Sequence, residues 1–81
     1  MHAADIKHLI ETGLPDCTAD VIGEDGVHFT ATVVAPQFIG KNRIQKQQLV
    51  YATLGNRLHD GTIHALSIKT FTPEEWTNHH G

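Results

Sequence analysis

The stretch Gly23-Glu24-Asp25-Gly26-Val27-His28-Phe29-Thr30-Ala31-Thr32-Val33 decides how this chain folds. Its first four residues form a turn, with Asp25-Gly26 as the signal. The residues after it alternate. Val27, Phe29, Ala31 and Val33 are apolar, while His28, Thr30 and Thr32 are polar. Successive side chains of a strand point to opposite faces, so this is a strand with one buried and one wetter face. Pro36 ends it. Before the turn, Thr18 to Ile22 reads as another strand, and the two pair as an antiparallel hairpin.

Working outward, the N-terminal segment reads as a helix of about a dozen residues. Ile6, Leu9, Ile10 and Leu14 lie toward one side, and Gly13 and Pro15 stop it. From Asn42 to His59 the pattern is helical again. At 100° per residue, Val50, Tyr51, Leu54 and Leu58 share a face, Leu49 points away, and Asp60-Gly61 closes the helix. Ile63 to Lys69 reads as a third strand. Thr72-Pro73-Glu74-Glu75 is a helix start, with Thr72 as N-cap, Pro73 at N1 and Glu75 at N3. The short last helix carries Trp76, a core or partner anchor. The order is α-β-β-α-β-α. Two strands joined through a helix favour a right-handed parallel crossover. The expectation is an α+β fold, a three-stranded mixed sheet with helices on one face.

The chain has 81 residues, net charge −3, 40% hydrophobic residues and a single cysteine against seven histidines. This is the composition of one small globular domain. One cysteine excludes an internal disulfide and any zinc site built from two cysteines of one chain. No signal pattern or long apolar run is present, so a cytoplasmic location without membrane contact is expected. There is no phosphate-binding glycine loop, nucleophile elbow or His-Glu-x-x-His, so no enzymatic activity is expected.

The parallel topology sorts the histidines. His28 starts the second strand and His64 the third, so adjacent parallel strands bring both to one sheet edge, with backbones ~5 Å apart. Two imidazoles there could ligate a metal or a cluster iron. The ordinary reading of each is a hydrogen bond to a carbonyl or water. His64 shares parity with Leu66 and Ile68, opposite Ile63 and Ala65, and either face is open as the buried one. Two ligands do not close a site, so a working pair needs ligands from a partner. Cys17 begins the first strand, ~15–20 Å from the turn, and reads as a small buried hydrophobe. His2, His8 and His59 read as solvated helix residues, and His79 and His80 lie at a fraying end.

Charge is unevenly spread. Residues 1–31 carry Lys7 against six acids, while Lys41, Arg43, Lys46 and Arg57 lie in an acid-free stretch. Lys46 and Arg57 fall about 20° apart on the helix, with Arg43 near them. Ile39-Gly40-Lys41-Asn42 resembles the Gly-x-x-Gly loop of KH domains, which clamps nucleic-acid backbone. Arg43 replaces the last glycine and denies the same close approach. The four bases make a candidate phosphate surface with steep salt dependence, or simply a solvated helix face. The negative net charge opposes tight non-specific binding.

Three stretches carry a family resemblance. They are Gly26-Val27-His28-Phe29, then Phe38-Ile39-Gly40 running into Arg43-Ile44-Gln45-Lys46-Gln47-Gln48-Leu49-Val50-Tyr51, and then Ile63-His64-Ala65-Leu66-Ser67-Ile68-Lys69-Thr70-Phe71-Thr72-Pro73-Glu74-Glu75-Trp76. Together they resemble the BolA family, especially its IbaG-like branch. The resemblance implies a single BolA-like domain over residues 1–81 with a class II KH-like fold. It also implies a non-enzymatic, cytoplasmic iron–sulfur adaptor that pairs with a monothiol glutaredoxin. The implied cofactor is a [2Fe-2S] cluster shared with glutaredoxin and glutathione thiolates. The implied ligands here are His64 and, from the loop before the second strand, His28, since no cysteine lies between Gly23 and His28. Mixed nitrogen and sulfur ligation raises the cluster potential above that of an all-thiolate site. The alternative implied role is a DNA-binding transcriptional regulator using Lys41, Arg43, Lys46 and Arg57. Leu49 is a candidate for the partner surface, and the chain alone is expected to be a monomer or homodimer.

Overall fold

The alternation of the second strand is realised as burial. In a computed structural model describing residues 2–23, 25, 28–55, 57 and 65–80, Phe29, Ala31 and Val33 are buried while His28 is exposed. Elements run α1 (Ala3–Gly13), β1 (Thr18–Ile22), β2 (His28–Val34), a 3₁₀ turn at Pro36–Phe38, α2 (Arg43–Leu54), β3 (Ala65–Phe71) and α3 (Pro73–His80). The sheet order is β1-β2-β3. β1 pairs antiparallel with β2, with Val21 opposite Ala31. β2 pairs parallel with β3, with His28 opposite Ala65 and Val34 opposite Phe71. The α+β architecture and the parallel crossover expected from the sequence are therefore present.

One core lies between the sheet and two helices. Ile6 and Ile10 of α1 and Val50 and Leu54 of α2 meet Ala19, Phe29, Ala31 and Val33, with Leu14, Ala35 and Phe38 closing the ends. Among the described residues, α3 supplies nothing to this buried set. It attaches to the end of β3, where the Phe71 and Trp76 rings meet edge to face at 5.2 Å. Trp76 is thus a local anchor for α3 rather than a residue of the main core. At the other end, a Cβ on Gly23 would meet the Phe29 ring at 2.2 Å, so glycine lets the hairpin close over that ring.

Helix α2 differs from expectation. It ends at Leu54, because Gly55 adopts φ +62°, outside the helical region. Arg57 therefore lies beyond the helix, where its Nη1 donates to the Leu54 carbonyl at 3.0 Å. Leu58, His59 and the expected Asp60-Gly61 stop lie outside the described residues. Tyr51 is exposed, and Leu49 packs partly against the core. Helical periodicity does not separate the two. Val50 and Leu54 are about 40° apart at the stripe centre, whereas Tyr51 and Leu49 fall about 100° to either side of Val50. β3 extends to Phe71, two residues beyond the expected Lys69, because the ladder with β2 continues to Val34.

Helix α1 is tied to the edge strand by charge. Lys7 Nζ donates to Glu11 Oε2 at 2.9 Å and to the Ala19 carbonyl at 2.6 Å. Glu11 Oε2 also accepts from the Ala19 amide at 3.1 Å. The Lys7 ammonium, followed by the Ala19 amide, holds the Glu11 carboxyl below its usual value near 4.5. Such a carboxylate stabilises the fold above its unfolded-state pKa, and the gain is lost as pH falls through the lower folded-state value. Melting temperature should therefore fall as pH drops below about 4.5. The variant Glu11→Gln should be less stable at neutral pH and lose less on acidification. A second expectation concerns the core. The change Leu54→Ala should destabilise by ~2–5 kcal/mol in urea unfolding.

Candidate metal-ligand edge and basic surface

His28 opens β2 with an exposed side chain. The turn before it supplies its partner. Asp25 Oδ1 accepts from the His28 amide at 2.8 Å, and Asp25 Oδ2 lies 2.8 Å from His28 Nδ1. An ionised carboxylate only accepts hydrogen bonds, so Nδ1 carries the hydrogen in this contact. That leaves Nε2 as the basic nitrogen, aimed away from the carboxylate. A carboxylate on the far nitrogen orients a ligating imidazole and makes it a better donor. Sequence reasoning treated Asp25 only as a turn residue. The missed signal is its spacing, three residues before the histidine.

The second candidate, His64, lies outside the described residues. Its neighbour in sequence, Ala65, is the register partner of His28 at the head of the parallel ladder. Cys17 precedes Thr18, which pairs with Val34 at the opposite end of the sheet. Its Sγ lies 3.6 Å from the Ile10 carbonyl, and burial raises the thiol pKa, which disfavours the thiolate. The cysteine is therefore neither near His28 nor poised to ligate. Among the described residues, no three His, Cys, Asp or Glu side chains gather in a metal-binding group.

The four bases do not line one pocket. Arg43 and Lys46 line a pocket of about 340 Å³ with Gln47 of α2 and Ile68, Lys69 and Thr70 of β3. Lys69, absent from the expected set, joins because β3 runs beside α2. Lys41 lines a different hollow of about 270 Å³ with Gln45, Gln48 and Leu49. Arg57 is displaced by the early end of α2 and bound to Leu54. Lys46 is 17% exposed and its Nζ lies 3.8 Å from Glu75 Oε1. Glu75 also completes the predicted capping box of α3, accepting from the Thr72 amide at 2.8 Å. Its own amide donates to Thr72 Oγ1 at 3.1 Å. The Thr72 amide and hydroxyl, then Lys46, hold the Glu75 carboxyl below its usual value. At α2, Asn42 and Gln45 form the matching box.

A mixed three-stranded sheet backed by two helices, with a carboxylate-oriented histidine at its strand-start edge, defines a small α+β domain. Residues 6–75 match the family described as BolA-like protein. Over 55 residues the chain is 46% identical to the acid stress protein IbaG of Escherichia coli (strain K12), spanning 68% of this chain and 66% of that protein. It is 39% identical over 49 residues to the DNA-binding transcriptional regulator BolA of Haemophilus influenzae, spanning 60% of this chain and 47% of that protein. The solved structure of a BolA homologue from Coxiella burnetii superposes with a TM-score of 0.85 at 42% identity, covering 95% of this chain and 97% of that one. The chain belongs to the BolA-like family and resembles its IbaG-like branch.

One expectation isolates the Asp25 contact. The change Asp25→Ala should move the neutral His28 ring from the Nδ1–H tautomer toward the Nε2–H form. Ring nitrogen chemical shifts read this directly, and unchanged shifts would refute the orienting role.

Proposed function

We propose that this chain is a non-enzymatic, cytoplasmic iron–sulfur adaptor. It pairs with a monothiol glutaredoxin and shares or passes on a [2Fe-2S] cluster. One observation carries the reading. His28 is exposed, its Nδ1 is engaged by Asp25, and it heads the ladder opposite Ala65, the residue that follows His64. An imidazole held this way suits an iron ligand through Nε2.

The donor set fits a shared cluster better than a resident one. Cys17 belongs to the far end of the sheet and favours the thiol form. Thiolates therefore come from the partner and from glutathione, while this chain offers nitrogen from His28 and His64. The Asp25–His28 contact fixes the orientation of one ligand before a partner arrives, which lowers the ordering cost of assembly. The acid-stress relative places stress physiology among the contexts to examine.

The DNA-binding reading draws on the Haemophilus relative's name and on Arg43 and Lys46. The separation of Lys41 and Arg57 from that pair weakens it. Glu75 beside Lys46 does so as well.

Reconstitution with glutaredoxin, glutathione and iron tests the adaptor. His64→Ala should abolish the visible-region spectrum of the mixed complex, and His28→Ala should alter or weaken it. Spectra identical to wild type in both variants would remove the ligand assignment.

A further inference from the structure

A three-stranded sheet has two edges, and here they are treated differently. The β1 edge is closed at Ala19. Both backbone groups of Ala19 are taken by α1, the carbonyl by Lys7 and the amide by Glu11. A strand whose outer amide and carbonyl are already bonded is a poor template for another strand. The β3 edge has no such cover among the described residues. β3 lies last in the sheet order. Among the described residues, its bond outside the ladder with β2 is the Phe71 carbonyl accepting from the Ala35 amide, which faces inward. Alternate residues of a strand turn both backbone groups to one side, so ~3–4 of the residues from Ala65 to Phe71 present an amide and a carbonyl outward.

Beside this open edge runs the pocket of Arg43, Lys46 and Lys69. Arg43 and Lys46 line it from α2 and Lys69 from β3, and one carboxylate, Glu75, lies 3.8 Å from Lys46 Nζ. We propose that the β3 edge is a docking site for an extended acidic segment of a partner protein. The segment adds as a fourth strand along Ala65–Phe71, and its carboxylates enter the Arg43–Lys46–Lys69 pocket. Backbone hydrogen bonds supply the affinity and the cationic pocket supplies the selectivity. The guanidinium of Arg43 matches a carboxylate in two parallel bonds.

Charge selects this occupant. A second copy paired edge to edge would bring two sets of Lys69, Arg43 and Lys46 together, and like charges across an interface are costly. A lysine on an edge strand is itself a guard against self-pairing. A nucleic acid would find the same cations, but its backbone cannot use a row of peptide donors and acceptors as a strand does.

The test uses the full chain and a fluorescein-labelled ten-residue peptide of alternating glutamate and valine. Two companions are needed, the same peptide N-methylated at alternate residues and a single-stranded oligonucleotide of equal charge. The acidic peptide should bind, with amide shifts concentrated on Ala65–Phe71. N-methylation and Lys69→Glu should each weaken binding by about tenfold or more. Circular dichroism checks that Lys69→Glu is folded, and Lys69→Gln serves if it is not. Lys7→Met, which loosens the other edge, should leave the affinity unchanged. Equal binding of the N-methylated peptide would reduce the site to charge alone and overturn strand addition. Shifts on Thr18–Ile22 would name the wrong edge. Displacement of the peptide by the oligonucleotide at lower concentration would assign the pocket to nucleic acid. A concentration-dependent dimer that blocks the peptide would assign it to a second copy.

Discussion

The parallel pairing of β2 with β3 is the constraint on which the rest depends. In this register Phe29 stands beside Leu66 and Ala31 beside Ile68, so the core rows of two strands coincide. A slip of one residue would turn Leu66 and Ile68 to the wrong face. Because both strands run the same way, their first residues share an edge. That is why His28 meets Ala65, and why Cys17 is left at the other end. The same pairing makes β3 the outer strand and sets it beside α2, where Arg43, Lys46 and Lys69 surround one pocket.

Electrostatic contacts complete what the core begins. Lys7 and Glu11 hold α1 against β1, the Asp25 carboxylate orients His28, and Glu75 both caps α3 and approaches Lys46. Each joins an element to its neighbour through partly exposed groups. Such pairs add little stability singly, but they fix geometry. The fold thereby separates two functional ends. One carries the exposed His28 imidazole at the start of the parallel strands, and the other carries cations near their finish.

Much of the site was legible in the residues, and the omissions have physical causes. The turn-strand alternation placed His28 outward, and the Thr72–Glu75 spacing announced the cap that is found. Asp25 was overlooked because its role needs a turn to fold it back onto the imidazole. Arg57 was assigned to the basic face because periodicity does not show where a helix stops. Gly55 stops it, through a backbone angle visible only once the chain is folded. Lys69 was overlooked for the opposite reason, since its neighbours Arg43 and Lys46 are remote in sequence and near only through packing.

The sequence by itself determined the element order, the buried rows of α1 and β2, the Thr72–Glu75 capping box and the crossover that makes β2 and β3 parallel. These follow from local periodicity, turn chemistry and chain handedness, which act between near neighbours. Only the tertiary structure decided which bases share a pocket, which histidine nitrogen is free, and which sheet edge is closed. Those outcomes depend on groups far apart in the chain being pressed together by the burial of Phe29, Ala31, Val33, Val50 and Leu54. The driving force is non-directional, and it brings polar groups together as a consequence of apolar packing.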